Sequence, residues 1–256
     1  MRQDRVNTIE EYVIEHRTAS LQELADAFGV SVSTIRRDLN SLFSRGNVSK
    51  VYGGVSVKDS SILPPIVERA AKNKEEKAVI GKLAAGMVTD NSVIFLDAGS
   101  TIPNMIVHLA NMDNLTIVTH SLVAMSEAAK YPKLHVVALG GYYNHTTSSY
   151  SGDMNFLTDI QVQTVFLACS GMSTVGAGCS AYNEYLIKKQ VASRGARVIL
   201  LADHTKFNRP ASFCSCPISR LSAIVTGQTP PEEYLDIMRR DGVALICPET
   251  PDKSKG

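Results

Sequence analysis

Ser31-Val32-Ser33-Thr34-Ile35-Arg36-Arg37-Asp38-Leu39 is the stretch on which the reading of this chain turns. Ser31 is a residue type that caps helix N-termini, and Ile35, Leu39, Leu42 and Phe43 recur at the spacing of one helix face. Upstream, Ser20-x-x-Glu23 is a capping box that opens a helix striped by Leu21, Leu24, Ala25 and Phe28. Gly29 suits the left-handed position that closes it. Val6, Ile9, Val13 and Ile14 mark an earlier helix. Downstream, Gly46 ends the third helix, and two β-prone runs, Val48–Val51 and Val55–Val57, flank Tyr52-Gly53-Gly54 as a hairpin. Helix, helix, tight turn, helix, hairpin is the order of a winged helix-turn-helix.

The chemistry of the third helix agrees with that order. Its inward positions leave Ser33, Thr34, Arg36 and Arg37 toward the exposed N-terminal half, where a recognition helix meets the major groove. Hydroxyls there, with Ser31, reach phosphates or base edges, and an arginine binds guanine bidentately. Lys50 and Tyr52, on the wing, are placed to touch phosphate or the minor groove. From Ser31 to Lys58 the cations are Arg36, Arg37, Arg45, Lys50 and Lys58 against Asp38 alone, a net +4. The whole chain carries only +1, so the positive charge is concentrated where a DNA face requires it. Asp38 is expected to pair with an adjacent arginine.

Beyond Ser60 the pattern changes. Pro64-Pro65 and the polar run through Lys77 read as a linker, so we expect a DNA-binding domain over 1–58, a linker over 59–77, an α/β domain over 78–247 and a polar tail over 248–256. A helix near Lys77–Val88 precedes strands Ser92–Leu96, Leu115–Val118, Leu134–Leu139, Val165–Cys169, Val198–Ala202, Ala223–Val225 and Val243–Cys247. Helices Ile102–Leu109, Leu122–Lys130, Glu184–Ser193 and Pro231–Arg240 lie among them. Apolar strands alternating with helices indicate a mainly parallel sheet covered on both faces.

Polar and glycine residues follow successive strands: Asp97-Ala98-Gly99-Ser100-Thr101, Thr119-His120-Ser121, Gly140-Gly141, Ser170-Gly171 and Asp203-His204-Thr205-Lys206. Open α/β sheets bind ligands outside these carboxyl ends. Gly99 allows close backbone approach, and Ser100 and Thr101 set hydroxyls beside the free N–H groups of a helix start, which suits an anion.

The first region, with Arg5…Val13…Leu24-Ala25…Ser31-x-x-Thr34-Ile35-Arg36-Arg37-Asp38-Leu39 and Gly46…Val51-Tyr52-Gly53-Gly54-Val55, resembles the DNA-binding signature and wing of the DeoR family of bacterial transcriptional regulators. The resemblance continues to about Gln228. It implies a repressor of sugar-catabolism genes whose large domain senses a phosphorylated sugar and is related in fold to ribose-5-phosphate isomerase and CoA transferases; a homodimer or homotetramer is expected from the half-site geometry of winged units on operator DNA. The family's Asp-x-Gly-[Ser/Thr]-Thr falls on Asp97, Gly99, Ser100 and Thr101, a loop that the resemblance assigns to the effector's phosphate. Its Thr-Asn-Ser falls on Thr119, His120 and Ser121, its Gly-Gly on Gly140 and Gly141, its Glu-x-x-x-Lys on Glu184 and Lys188, and its Asp-x-x-Lys-Phe on Asp203, Lys206 and Phe207. Lys188 or Lys206 would neutralise phosphate, and Asp97, Glu184 or Asp203 would accept sugar hydroxyls. Three positions depart from the pattern: His120 for Asn, Asn144 for Arg and Gln163 for Asp.

Several classes are excluded or disfavoured. Apolar residues are 44% and charged residues 20%, which is globular composition, and an aromatic content of 6% without Trp argues against a stacking surface. No apolar run approaches the ~18 residues of a membrane helix, and Met1-Arg2-Gln3-Asp4-Arg5 lacks a signal-peptide core, so a cytoplasmic protein is expected. Five cysteines without a CxxC pair read as reduced thiols. His120, His145 and His204 show no HxH or HxxxH spacing, so neither a metal nor another cofactor is expected. The competing function is a sugar-phosphate isomerase or deaminase with Asp97, Glu184 or Asp203 as base and Lys206 as electrostatic helper. The fused DNA-binding region favours sensing over turnover.

Overall fold

A computed structural model describes residues 2–16, 18–45, 48–51, 53–57, 63–152, 159–209 and 211–248. Gly46, Tyr52, Lys58, the first part of the expected linker and the tail beyond Pro248 lie outside the described residues. The chain divides into two compact units, Met1–Ser60 and Ser61–Gly256.

In the first unit, α1 (Arg2–His16), β1 (Thr18–Ser20), α2 (Leu21–Phe28), α3 (Val32–Arg45), β2 (Val48–Val51) and β3 (Gly54–Val57) follow one another. The capping box forms: Glu23 N donates to Ser20 Oγ at 3.1 Å and Ser20 N to Glu23 Oε2 at 2.6 Å. Gly29 closes α2 with φ 61°. Ser31 caps α3 by accepting from Thr34 N at 3.3 Å. Val6, Ile9, Val13, Leu24, Ile35, Leu39 and Leu42 are buried in one core, which contributes ~1.5–3 kcal/mol per large side chain.

The sheet order is β1-β3-β2, all antiparallel. Sequence patterning did not reveal β1, a three-residue strand. Its presence explains the glycine pair of the wing. Gly53 has φ +75°, and a Cβ on Gly54 would sit 2.3 Å from Ala19 O of β1. Asp38 is 1% exposed and pairs with Arg5 of α1, Nε to Oδ2 at 2.8 Å.

The second unit centres on a parallel sheet. Its strands β4 (Val93–Leu96), β5 (Thr116–Thr119), β6 (His135–Ala138), β9 (Thr164–Ala168), β12 (Arg197–Leu201), β14 (Ala223–Val225) and β15 (Ala244–Ile246) lie in the order β15-β14-β12-β9-β4-β5-β6. The chain therefore winds one way from β4 to β6, then the other way from β9 to β15. The reversal falls between β4 and β9, which pair directly.

Both faces are covered, as continuous apolar strands require. Phe95, Val165, Leu167, Val198 and Leu200 face one core, with α8 (Tyr182–Arg194) and α9 (Glu232–Asp241). Ile94, Leu96, Phe166, Ile199 and Leu201 face the other, with α5 (Lys74–Ala85), α6 (Ile106–Leu109) and α7 (Leu122–Ala128). The expected 102–109 helix begins as a 3-10 turn over Ile102–Met105.

Two parts of the unit differ from expectation. The run read as a linker holds α4 (Ile66–Ala71) and the start of α5, with Ile66 only 4% exposed. It looked like a linker because α4 buries one apolar side chain and the rest of its anchoring is polar. Antiparallel pieces were also missed: the hairpin β7 (Tyr142–Asn144) and β8 (Ser149–Ser151), and a small sheet of β10 (Gly171–Met172), β11 (Gly176–Cys179) and β13 (Phe213–Pro217). Among the described residues no helix is long and apolar enough to cross a membrane.

Replacing Ser20 with Ala removes the hydroxyl half of the capping box and is expected to cost about 1 kcal/mol. Chemical denaturation of the intact chain should show a lower midpoint for the first transition with an unchanged slope.

Candidate functional site

Asp97 follows the last residue of β4, at the reversal point of the sheet, the place where open α/β sheets generally bind ligands outside the carboxyl ends. Its carboxylate is 1% exposed. Oδ2 accepts from Ala168 N at 2.8 Å, extending the link between β4 and β9 by one side-chain bond. Lys188 Nζ donates to the same oxygen and to Ala168 O at 2.9 Å. On the other side, His120 Nε2 lies 3.3 Å from Oδ1, while His120 Nδ1 faces Tyr150 O at 3.1 Å. Burial by itself raises the Asp97 pKa, but Lys188 and His120 together hold the carboxyl well below its ordinary range. Burial likewise works against the Lys188 charge, and Asp97 and Glu184 reverse this to raise its pKa.

Local sequence explains these positions. Lys188 shares the buried stripe of α8 with Val191 and Ala192, so an amine is carried where a hydrophobe would ordinarily sit. Gly99 brings the loop against β9, and a Cβ there would meet Ala168 Cβ at 2.0 Å. Ser100 and Thr101 follow in that loop, and Ser100 Oγ receives Lys77 Nζ at 3.2 Å.

Asp203, 1% exposed, follows β12 by two residues. Its Oδ1 accepts from Thr205 N and Asn73 Nδ2, both at 3.1 Å, and its Oδ2 lies 4.0 Å from Lys206 Nζ. Burial raises its pKa, whereas Lys206, Thr205 and Lys77 prevail and lower it. Glu184 is half-buried one turn before Lys188 and acts on it through charge.

Some of the expected ligand contacts have other work. Thr119 Oγ1 donates to Leu96 O at 2.6 Å and accepts from Ser121 N at 3.1 Å. Ser121 caps α7 through Ala124 N at 3.2 Å. Both residues are fully buried and shape the His120 loop. Gly140 and Gly141 follow β6, an edge strand two places from β4. Gly141 has φ +131° and packs on Ser151, which accounts for the glycine.

Two of the departures from the family pattern are likewise structural. Gln163 Oε1 accepts from Val93 N at 2.6 Å, and Asn144 Oδ1 accepts from Thr146 N at 2.9 Å in the β7–β8 turn.

Two basic residues escaped the sequence reading, Arg69 on α4 and Lys77 on α5. Lys77 is 3% exposed. A signal for it existed: Lys77, Ile80, Gly81 and Ala84 form the buried stripe of α5, and a lysine on such a stripe must have a polar partner.

The three histidines are apart. His145 is exposed with its ring edge-on to Tyr143, and His204 pairs with Glu76 at 2.6 Å. Among the described residues, Glu76, Asp203 and His204 are the group whose donor atoms lie within 4.8 Å of one another. Glu76 and His204 already bind each other and Asp203 is held by Thr205, Asn73 and Lys206, so the donor set suits an ion-pair network and not a dication. Burial pushes the thiols of Cys169 to about 11 and Cys179 to about 12, leaving them protonated at neutral pH.

On the first unit, Arg36, Arg37, Ser33 and Lys50 are exposed and Thr34 is partly so. The Ser31 hydroxyl is exposed but occupied, bonded to Ser33 Oγ at 2.8 Å and Thr34 Oγ1 at 3.0 Å besides its cap. Asp38 is neutralised by Arg5, so the outward charge of α3 near its start is purely cationic.

The chain matches a DeoR-like helix-turn-helix domain over residues 5–61 and a DeoR C terminal sensor domain over residues 72–228. It is 34% identical to the HTH-type transcriptional regulator IolR of Bacillus subtilis, over 90% of this chain and 93% of that one. It is 30% identical to the glycerol-3-phosphate regulon repressor of Escherichia coli, over 95% and 98%. Similarity to AccR, a transcriptional repressor of Agrobacterium fabrum, is also 30%, over 88% and 89%. Among solved structures, ribose 5-phosphate isomerase A of Methanocaldococcus jannaschii overlaps 53% of this chain and 55% of its own, with 20% identity and a TM-score of 0.41.

Acid should expose the role of Asp97. A carboxyl with a depressed folded pKa contributes stability above its unfolded value and loses it as pH falls through the folded value. Stability should therefore fall below about pH 4, and Asp97→Asn should flatten that slope. Far-UV circular dichroism during urea titrations across this window checks it; an unflattened slope would assign the acid response to other groups.

Proposed function

Because the chain belongs to the DeoR family and is a DNA-binding transcriptional regulator, we propose that it represses sugar-metabolism genes and releases or retains operator DNA according to a phosphorylated sugar held around Asp97. The observation that carries this reading is the Asp97–Lys188–His120 cluster at the point where the sheet reverses. A charged, buried and fully hydrogen-bonded constellation at that place is expensive to build unless it serves a ligand. Ser100 and Thr101 supply hydroxyls for an anion, Lys188 and Lys206 supply positive charge, and Asp97, Glu184 and Asp203 accept sugar hydroxyls. One relative is named a repressor of a glycerol-3-phosphate regulon, which agrees with a phosphorylated ligand for this architecture.

The DNA-facing residues are Ser33, Thr34, Arg36, Arg37 and Lys50, with arginine forks for guanine edges and the wing for the backbone. Two winged units on half-sites one or more helical turns apart require a homodimer or homotetramer. Control then follows from differential affinity: the ligand must bind one arrangement of the second unit better than another. The chain is not an enzyme, since its relatives along nearly its whole length are regulators and repressors.

Arg36→Ala or Arg37→Ala is expected to weaken operator binding by about 1–3 kcal/mol while leaving effector affinity intact. Gel-shift titrations at fixed ionic strength measure it, and unchanged binding by both variants would remove α3 from the groove.

A thermal-shift screen of sugar phosphates against their unphosphorylated partners tests the ligand class, because a ligand of the native state raises the melting temperature. In that assay Asp97→Asn is expected to lose the response yet keep DNA binding. A response to the unphosphorylated sugars alone would refute the phosphate requirement.

A further inference from the structure

We propose that the outer face of α8 is the surface through which two copies of this chain pair, antiparallel and about a twofold axis near Leu186; this deepens the homodimer or homotetramer reading above and rests on it. Among the described residues, the other large exposed apolar side chains stand one to an element, as Val67 does on α4, Val79 on α5 and Val107 on α6. Helix α8 is different. It exposes Tyr182 at 56% and Leu186 at 46%, four residues apart on one helical stripe that continues to Lys189 and Ser193.

The stripe is firmly backed. The rings of Tyr182 and Tyr185 stack with centroids 5.9 Å apart, and both pack against Phe213 of β13, at 5.7 and 5.6 Å. Rings held against one another have little side-chain freedom left to lose on contact, so Tyr182 is a ready anchor for an interface.

Charge selects the occupant. The stripe is aromatic before Leu186 and cationic beyond it, where Lys189 and Arg194 are exposed. The single acid of α8, Glu184, is half-buried and acts on Lys188 instead. Such a stripe complements itself when reversed. At 1.5 Å per residue, Tyr182 stands about 6 Å before Leu186 and Lys189 about 4.5 Å after it, so antiparallel pairing about Leu186 sets each Tyr182 ring against Lys189 of the second copy. Lys189 shows this affinity within one chain already: its Nζ lies 5.4 Å from the Tyr185 ring centroid and donates to Tyr185 Oη at 3.0 Å. Antiparallel helix dipoles favour the same arrangement, and each contact occurs twice, as a twofold interface requires. An acidic partner would leave Tyr182 and Leu186 uncovered, and a wholly apolar one would bury Lys189 without a counterpart. The inner face of the same helix gives Lys188 to Asp97, so pairing and the effector cluster lie on opposite faces of one element.

Sedimentation velocity of the full chain, without DNA and over a range of concentrations, tests the contact. Near a twofold axis a residue meets its own copy, so Leu186→Glu or Leu186→Lys brings two like charges together. Each is expected to weaken association by about thirtyfold or more, the scale of an interface hot spot, or to lower a tetramer to dimers. An equimolar mixture of the two should recover association, because opposite charges then meet. Tyr182→Ala should weaken it by about tenfold. Val67→Glu, which places a charge on an exposed position of α4, should stay within about twofold.

Wild-type association by the Leu186 variants, or by Tyr182→Ala if neither of those folds, overturns the α8 contact and leaves the homo-oligomer reading standing. Equal weakening by Val67→Glu does the same. Leu186 variants that remain apart when mixed overturn the twofold arrangement. A wild-type chain that is monomeric at every concentration overturns both readings.

Discussion

A carboxylate buried between two parallel strands is the constraint on which the second unit depends. Asp97 binds the backbone of β9 through Ala168 N, the amine of α8 through Lys188 and the ring of His120 beyond β5. One side chain thus ties together β4, β9, α8 and the loop after β5. Removing a single partner would leave an unbalanced buried charge, a loss of about 3–5 kcal/mol. An apolar cluster of equal volume would hold the same elements as well or better. Stability alone therefore does not account for ions at this point, where the sheet reverses direction, and the proposed ligand supplies a reason for them.

The first unit solves the opposite electrostatic problem. It must keep charge outward, and its one anion between Ser31 and Lys58 is the exception that the fold absorbs. Asp38 turns inward and is met by Arg5 of α1, so α3 is anchored to α1 by the same contact that clears its outer surface of negative charge. Arg36 and Arg37 then face solvent beside Ser33. A chain with a net charge of only +1 presents a locally cationic helix because the compensating acids lie elsewhere.

Periodicity made the helices and the seven parallel strands legible, because each buries a face wide enough to leave a pattern. Leu24 and Ala25 on α2 and Val198 to Leu201 on β12 are examples. Elements held by something other than apolar burial left no such pattern. Strand β11 reads Gly-Ala-Gly-Cys, without a β-branched residue, and its pairing with β13 exists because small residues let the backbones meet. Helix α4 buries Ile66 alone and is otherwise fixed by polar bonds, so it read as a linker. Motif resemblance marked Asp97, Lys188, Asp203, Thr119 and Ser121 alike and could not show which of their donors and acceptors the fold already uses. That distinction depends on which donors and acceptors are already satisfied.

The hairpin β7–β8 gives the site a physical connection to the start of the second unit. Tyr150 O faces His120 Nδ1, and Tyr150 N donates to His120 O at 2.9 Å. At the turn of the same hairpin, Thr146 O accepts from Ile66 N at 2.9 Å, the first residue of α4. Asn144 holds that turn in shape, so the departure from arginine there exchanges a charged side chain for a backbone-bonded one. The hairpin is thus bonded to the Asp97 cluster at one end and to the helix that carries Arg69 at the other.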